Sequence, residues 1–302
     1  MEGRIVIDTA LCNGCGLCVA VCPYEVLSLA GKIAVYSGEP CFCCGHCQAV
    51  CPQQAVRVGG LEPTLGLTTL AEREQCPPPG PALAEEAVAL MRWRRSCRNY
   101  TSDAVAQEIL EDLARIGTTA PSGTNSQGWN FLILPDRRDL LALGGLCADF
   151  FRRLNRLAAS SPLRLLSRIF AGDALGRYHR KHLESVAEAL RRWDEEGRDL
   201  LFHGATAAIL VTGRKDASCP AEDALLATAN ILLAAQAMGL GTCLIGYAVE
   251  AIHRSSAIRK SLQLPEDERV YSVIALGHPA LRFARPAGRR PLAPRVVRLA
   301  EE

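Results

Sequence analysis

Eight of the nine cysteines within the first 51 residues fall in one repeated pattern, which constrains this chain more than any other feature. Cys12, Cys15, Cys18 and Cys22-Pro23 spell C-x2-C-x2-C-x3-C-P, and Cys41, Cys44, Cys47 and Cys51-Pro52 spell it again 29 residues later. Short β-type runs lie between them, at Arg4 to Asp8, Lys32 to Tyr36 and Ala55 to Val58, but large apolar side chains are too few for a core of hydrocarbon alone. Another kind of bond must hold the segment. The opening Met-Glu-Gly-Arg-Ile-Val-Ile-Asp has no basic n-region and no apolar h-region, so no secretory leader is expected. In a cytoplasmic setting the thiols are expected to act as ligands instead of pairing as disulfides.

Two chemistries take four thiolates. Structural zinc draws on C-x2-C pairs with longer spacers. A cubane iron–sulfur cluster is wrapped by C-x2-C-x2-C, and the fourth cysteine, beside a proline, reaches across to the neighbouring cluster. Two complete copies with both prolines favour the second. Residues 1 to 58 resemble the bacterial two-cluster ferredoxins, a small βαβ-type fold. The resemblance implies one [4Fe–4S] cluster on Cys12, Cys15, Cys18 and Cys51 and a second on Cys22, Cys41, Cys44 and Cys47. Gly14, Gly16 and Gly45 suit close approach of backbone amides to sulfide. Cys43 and His46 occupy spacer positions and are expected to be bystanders.

A chain of 302 residues, 49% hydrophobic and 22% charged with formal net charge +2, is globular and long enough for about two domains. That balance gives no reason to expect nucleic acid as a partner. No apolar run reaches the ~18 residues of a spanning helix. Composition turns to Gly, Pro, Thr and Glu between Gly59 and Pro81, which predicts a ferredoxin-like module over 1–59, an extended linker over 60–81 and a second domain over 82–302. In that domain helices are expected over Ala82 to Trp93, over Asp103 to Ile116 with Ser102 as cap and Gly117 as stop, over Glu222 to Met238, and near Ala251 to Leu262. Strands are expected over Trp129 to Leu134, Ala205 to Thr212, Thr242 to Tyr247 and Arg269 to Leu276. The fold class is α+β. Between 151 and 192 ten Lys/Arg stand against three Asp/Glu. This basic insert, 150–198, reads either as a solvated helical cap whose apolar stripe packs on the domain or as a surface for membranes or acidic partners.

No dinucleotide fingerprint is present, since Gly239-Leu240-Gly241 follows a helix and meets Leu244 where glycine is required. Arg94-Arg95-Ser96-Cys97-Arg98 gathers guanidinium groups and a hydroxyl between two helices, which suits either a phosphate monoester or a solvated face. Ala120-Pro121-Ser122-Gly123-Thr124-Asn125-Ser126-Gln127-Gly128-Trp129 follows about 25 residues on. With His203-Gly204-Ala205, the run from Met238 to Gly246, and Gly277-His278-Pro279 followed by Arg289 and Arg290, these segments resemble the nitroreductase family of FMN flavoproteins over roughly 86–295. The resemblance implies a dimeric fold with a central mixed or antiparallel sheet and surrounding helices. It implies that Arg94, Ser96, Arg98 and Arg290, or its neighbour Arg289, hold the FMN phosphate, with Arg95 beside them. Pro121, Ser122 and Asn125 then touch the flavin from the partner subunit, and Leu244, Ile245 and Gly246 lie against the ring near N5. Gln127-Gly128-Trp129 departs from the Gln-Pro-Trp of many relatives.

Clusters that carry single electrons, joined to a flavin that stores two, make a circuit. The expected activity is reduction of a small electron-poor acceptor such as a nitroaromatic, a quinone or an activated alkene. Reduced ferredoxin or a similar low-potential protein is the expected donor ahead of NAD(P)H. The alternative is an electron carrier that relays charge to a protein partner without turnover. No side chain stands out as an obligatory acid; water, Tyr178, His179 and His182 are candidates. Cys97 and Cys243 read as small buried hydrophobes.

Overall fold

Two copies of one short unit build the N-terminal module of this computed structural model, which describes residues 4–73 and 75–299. Residues 1–3, 74 and 300–302, which fall in the expected module, linker and second domain respectively, lie outside the described residues. The module runs β1 (Ile5–Ile7), α1 (Leu17–Val21), β2 (Leu27–Ala30), β3 (Ile33–Tyr36), α2 (His46–Ala49) and β4 (Val56–Val58). β1 pairs antiparallel with β4, and β2 with β3. Gly16 and Gly45 precede α1 and α2 with φ of 75° and 74°, so each cysteine loop turns into its helix through a left-handed residue that costs glycine nothing. β2 went unforeseen because only its pairing across the two-residue turn at Gly31 makes it a strand. The shared core is small: Ile5, Val26, Leu27, Ala34, Val56 and Val58, with the thiols Cys18 and Cys47 among them.

Residues 60–80 carry no helix or strand among those described, Pro81 of the expected linker already belonging to the next helix, and the segment does not hang free. Thr68 and Thr69 donate backbone N–H and hydroxyl bonds to the carboxylate of Asp112, at 2.6 to 3.3 Å. Asp112 is fully buried and also takes Arg115 Nη1 at 2.9 Å. Burial opposes its ionisation, yet the Thr69, Thr68 and Arg115 donors outweigh that and hold its carboxyl well below the usual range. Glu72 gathers the N–H groups of Leu65 and Leu67 in the same segment.

In the second domain α3 (Pro81–Trp93) and α4 (Gln107–Gly117) lead to β5 (Trp129–Leu134), then α5 (Arg137–Ala159), α6 (Ser161–Phe170), α7 (Ala174–Lys181) and α8 (Leu183–Glu196). β6 (Ala207–Arg214), α9 (Pro220–Ala237), β7 (Gly241–Leu244), α10 (Gly246–Arg254), α11 (Ser256–Ser261) and β8 (Glu268–Gly277) complete it. The sheet is antiparallel in the order β5-β6-β8-β7. Alternate residues of β6 feed two cores. Ala208 and Leu210 face α5, α8 and α10, whereas Ala207, Ile209 and Val211 face α4 and α9. A strand covered on both faces reads as continuously apolar, and this one does.

Three expectations need correction. α4 begins at Gln107, not Asp103, because Thr101 N donates to His278 O and Ala280 N to Asn99 O, which keeps residues 99–101 extended. Gly117 is not a left-handed stop; a Cβ there would stand 2.9 Å from the ring of Phe131, so it serves close packing. β7 ends at Leu244 and the chain turns at Ile245 into α10. In the insert, α5 and α8 do pack their apolar stripes on the domain, but α6 leaves Leu165, Leu166, Ile169 and Phe170 exposed, Phe170 by 82%. Among the described residues no helix is long and apolar enough to cross a membrane.

Asp112→Ala leaves the Thr68 and Thr69 amides without an acceptor and is expected to lower the unfolding free energy by about 2–4 kcal/mol. It should also expose residues 66–73 to limited proteolysis. Because the folded pKa of Asp112 lies below its unfolded value, its contribution is complete above about pH 4 and is lost as pH falls through the depressed folded value. Cleavage of the linker in the native chain should therefore stay slow down to about pH 4.

Candidate active site and metal centres

The eight motif cysteines divide between two small cavities. One is lined by Cys12, Cys15, Cys18 and Cys51 with Gly14 and Gly16, the other by Cys22, Cys41, Cys44 and Cys47 with Gly45, Tyr24 and Phe42. Each thus takes three thiols from one loop and the proline-flanked fourth from the other. A Cβ on Gly14 would lie 2.3 Å from Lys32 O, so only glycine lets these loops pack. Backbone N–H groups of Ala34, Cys43 and Ala55 point at the sulfurs of Cys12, Cys41 and Cys51, at 3.3 to 3.5 Å. Burial, reinforced by the neighbouring thiols of Cys41, Cys44 and Cys22, pushes the Cys47 thiol up to about 11. Any cation bound there must displace protons. No group of three or more His, Cys, Asp or Glu among the described residues is set to hold a single metal ion.

In the second domain the arginine segment lies along the edge of the sheet. Ser96 bridges in parallel to Thr242 on β7, and Cys97 N donates to Thr242 O at 2.8 Å. This registers Arg94, Ser96 and Arg98 against the strand whose end carries Leu244, Ile245 and Gly246. Arg98 and those three residues line one cavity of about 870 Å³. α7 and the start of α8 roof it through Leu175, Arg177, Tyr178, Lys181 and His182. Ile245 N is spent on Val273 O, whereas Gly246 opens α10, where first-turn amides lack partners within the helix. A Cβ on Gly246 would meet nothing within 4 Å, so its backbone borders open space.

None of Arg94, Arg95 and Arg98 has a carboxylate partner among the described residues. The Arg95 guanidinium sits 5.2 Å over the Phe283 ring, and its buried Nε has no hydrogen-bond partner. Of the three arginines only Arg98 lines the cavity; a guanidinium without a carboxylate partner at an apolar-walled cavity, with bare backbone along one edge, suits a flat ligand that ends in an anion. Arg289 and Arg290 are exposed and do not line the cavity. His203 does. It stands at φ 57°, in a loop tied by Asp199, which accepts N–H bonds from Leu201, Phe202 and Gly204 and pairs with Arg137 at 2.7 Å. Burial first, then the Arg98 charge, lower the His203 pKa and favour neutral imidazole.

Pro121, Ser122 and Asn125 do not line this cavity within one chain. Their loop is held by Asp223 at the start of α9, whose carboxylate accepts from Gly123 N at 2.9 Å and Ser126 Oγ at 3.2 Å. Asn125 Nδ2 donates to Cys43 O at 2.7 Å, which joins the two domains. A Cβ on Gly128 would stand 3.0 Å from that of Ala217, which accounts for glycine there. The sequence reading missed Asp199, Asp223 and Tyr247, whose hydroxyl lies 3.2 Å from His182 Nδ1 on the cavity wall. No motif marks them.

Residues 5–28 match the 4Fe-4S binding domain family and residues 91–278 match the Nitroreductase family. A putative NADH dehydrogenase/NAD(P)H nitroreductase of Archaeoglobus fulgidus is 26% identical over 196 residues, 65% of this chain and 86% of the relative. The 5,6-dimethylbenzimidazole synthase of Rhodospirillum rubrum is 27% identical over 199 residues, 66% and 84% of the two chains. Among solved structures, a nitroreductase with bound FMN from Bacteroides fragilis shares the fold with a TM-score of 0.51 at 21% identity, covering 70% of this chain and 98% of that one. With the family match spanning well over half of its length, and the arginine segment, sheet and cavity arranged as described, the chain belongs to the nitroreductase family.

Proposed function

We propose that this protein is a flavin-dependent oxidoreductase in which two [4Fe–4S] clusters of the N-terminal module pass electrons to FMN for reduction of a small electron-poor acceptor. The observation that carries the reading is that Arg98 and the run from Leu244 to Gly246, two segments far apart in sequence, line one cavity. Bound FMN supplies an exchange between one-electron and two-electron chemistry. The chain's own residues do the rest. Arg94, Ser96 and Arg98 offer charge-assisted bonds to the phosphate, with Arg95 and Arg290, or Arg289, completing the set. The Gly246 amide, which opens α10 beside open space, would be available to a bound flavin ring. The cavity's apolar walls exclude water and receive a flat acceptor: a nitroaromatic, a quinone or an activated alkene. His182, hydrogen-bonded to Tyr247, can return a proton to it.

Cys12, Cys15, Cys18 and Cys51 hold the first cluster in this reading, and Cys22, Cys41, Cys44 and Cys47 the second. Support comes from the four-thiol lining of each cavity and from N–H bonds to sulfur that stabilise the reduced state. The donor is reduced ferredoxin or another low-potential iron–sulfur protein in the cytoplasm, with NAD(P)H second. A homodimer completes the site. Val88 and Met91 of α3 and Leu225 of α9 are each more than half exposed on packed neighbouring helices, and Leu292, Val296 and Leu299 after β8 are exposed by more than 80%. So much bare hydrocarbon on one chain favours burial against a second copy, with Pro121, Ser122 and Asn125 facing the partner's flavin.

Anaerobic reconstitution should yield about eight iron, eight sulfide and one FMN per chain. Zinc in place of iron would sink the electron-transfer reading. Arg98→Ala should weaken FMN binding by at least about tenfold, read by flavin fluorescence, with cluster content unchanged; undiminished affinity would remove Arg98 from the phosphate site. Turnover of a panel of nitroaromatics, quinones and activated alkenes with reduced ferredoxin is expected. Reduction of clusters and flavin without turnover of any of them would make the protein a carrier.

A further inference from the structure

The two cysteine cavities are not equivalent in their surroundings. Of the eight motif thiols only Cys15, in the first cavity, is exposed. The second cavity is walled by Phe42, whose ring lies 4.5 Å from that of Tyr24, and its loop meets the other domain. Between Cys41 and Cys44 the chain passes through Cys43 at φ 56°, a left-handed conformation that a non-glycine residue adopts only when something holds it. Two bonds do so. Cys43 N points at Cys41 Sγ, 3.4 Å away, and Cys43 O accepts Asn125 Nδ2 at 2.7 Å. Phe42 O stands 3.5 Å from the same nitrogen.

Asn125 is itself at φ 53°, in the loop braced by Asp223. A second joint lies nearby in the chain. The Asp112 carboxylate that fastens Thr68 and Thr69 belongs to α4, and α4 runs directly into the loop of Asn125. One continuous stretch, 107–127, therefore grips the N-terminal module at its second cysteine loop and grips the linker behind it. Two anchors on one support fix a register, where one alone would leave a pivot.

We infer that the module is docked with a fixed polarity: the Cys22, Cys41, Cys44 and Cys47 centre is the output to the flavin domain, the Cys12, Cys15, Cys18 and Cys51 centre is the input from the donor, and Asn125 is the positioning residue of the output joint. The inference rests on the function proposed above. Each electron enters on the Cys15 side, where the donor is oxidised, and leaves past Phe42 and Cys43. Two such passages, with protons from solvent, account for full reduction of one FMN. The spacer residue Cys43 acquires a role through its backbone, not its thiol.

The test uses the reconstituted full chain mixed rapidly with reduced ferredoxin, followed by freeze-quench EPR for the clusters and absorbance for the flavin. Asn125→Ala is expected to slow cluster-to-flavin transfer at least tenfold relative to reduction of the same variant's flavin by a small-molecule reductant, while the donor still reduces the clusters at the wild-type rate. It should shift the potential of one centre only. Asn125→Asp, which keeps the size but cannot donate, should behave alike. Hydrogen exchange of the amides at 41–45 should quicken in both variants. Unchanged flavin reduction, slower cluster reduction, or unchanged exchange at 41–45 would each overturn the polarity. A wild-type chain that binds no FMN or no clusters would instead overturn the proposed function, and the exchange measurement would still report on the joint.

Discussion

A buried carboxylate that collects backbone N–H groups is the interaction on which the working parts of this molecule depend. Three buried aspartates among the described residues act in this way, Asp223 with one backbone N–H and the Ser126 hydroxyl. Asp112 ties the linker, Asp199 ties the loop of His203, and Asp223 ties the loop of Asn125. In each case the aspartate sits on or beside a helix and its donors come from an irregular segment with little hydrocarbon to bury. Taking a carboxylate out of water costs several kcal/mol, and the cost is offset only when its lone pairs are filled with good geometry. The same requirement makes the bond selective: a loop that strays from its path leaves a bare charge behind. Three segments without regular structure can thus hold positions that packing would not specify.

This division of labour explains what could be read from the sequence. The cysteine groups stand out in the sequence because ligand chemistry fixes such spacings whatever surrounds them, and four of the thiols line each of the two cavities. β5 was legible to the residue because an apolar run between turn signals admits few alternatives. The late start of α4 was not, since it depends on residues 99–101 pairing with 278–280, about 180 positions away. Nor were the three aspartates. In Leu-Glu-Asp-Leu, Asp112 has the pattern of a solvated helix face, and only the arrival of Thr68 and Thr69 makes it a buried anchor. The arginine run was recognisable as a cluster, but the Phe283 ring that takes the Arg95 guanidinium lies nearly 190 residues on, and nothing local points there.

The small module shows why metal chemistry and backbone geometry must be read together. Its hydrocarbon core amounts to a few Val, Ile and Leu side chains, too little for a unit of this size to be secure alone. Cys18 and Cys47 are buried within that core, so filling the cavities would add bonds where the packing is thinnest. In the function proposed, cluster binding and folding would be one process, and loss of the clusters would remove part of the core along with the redox centres. Left-handed Gly16 and Gly45 at the same place in each half mark the turn that makes this economy possible.

The linker bears on how such a module can work. A free segment of some twenty residues lets a tethered unit search a volume, and encounter then limits each transfer. In the function proposed, electrons that arrive singly and are needed in pairs would suffer twice from such a search. Fastening the segment halfway along, at Thr68 and Thr69, removes much of that freedom. The loss of chain entropy is borne once, during folding, by the bonds to Asp112. What remains for Asn125 is a short-range choice of register, and one hydrogen bond of about 1 kcal/mol suffices to bias it because the alternatives have already been excluded.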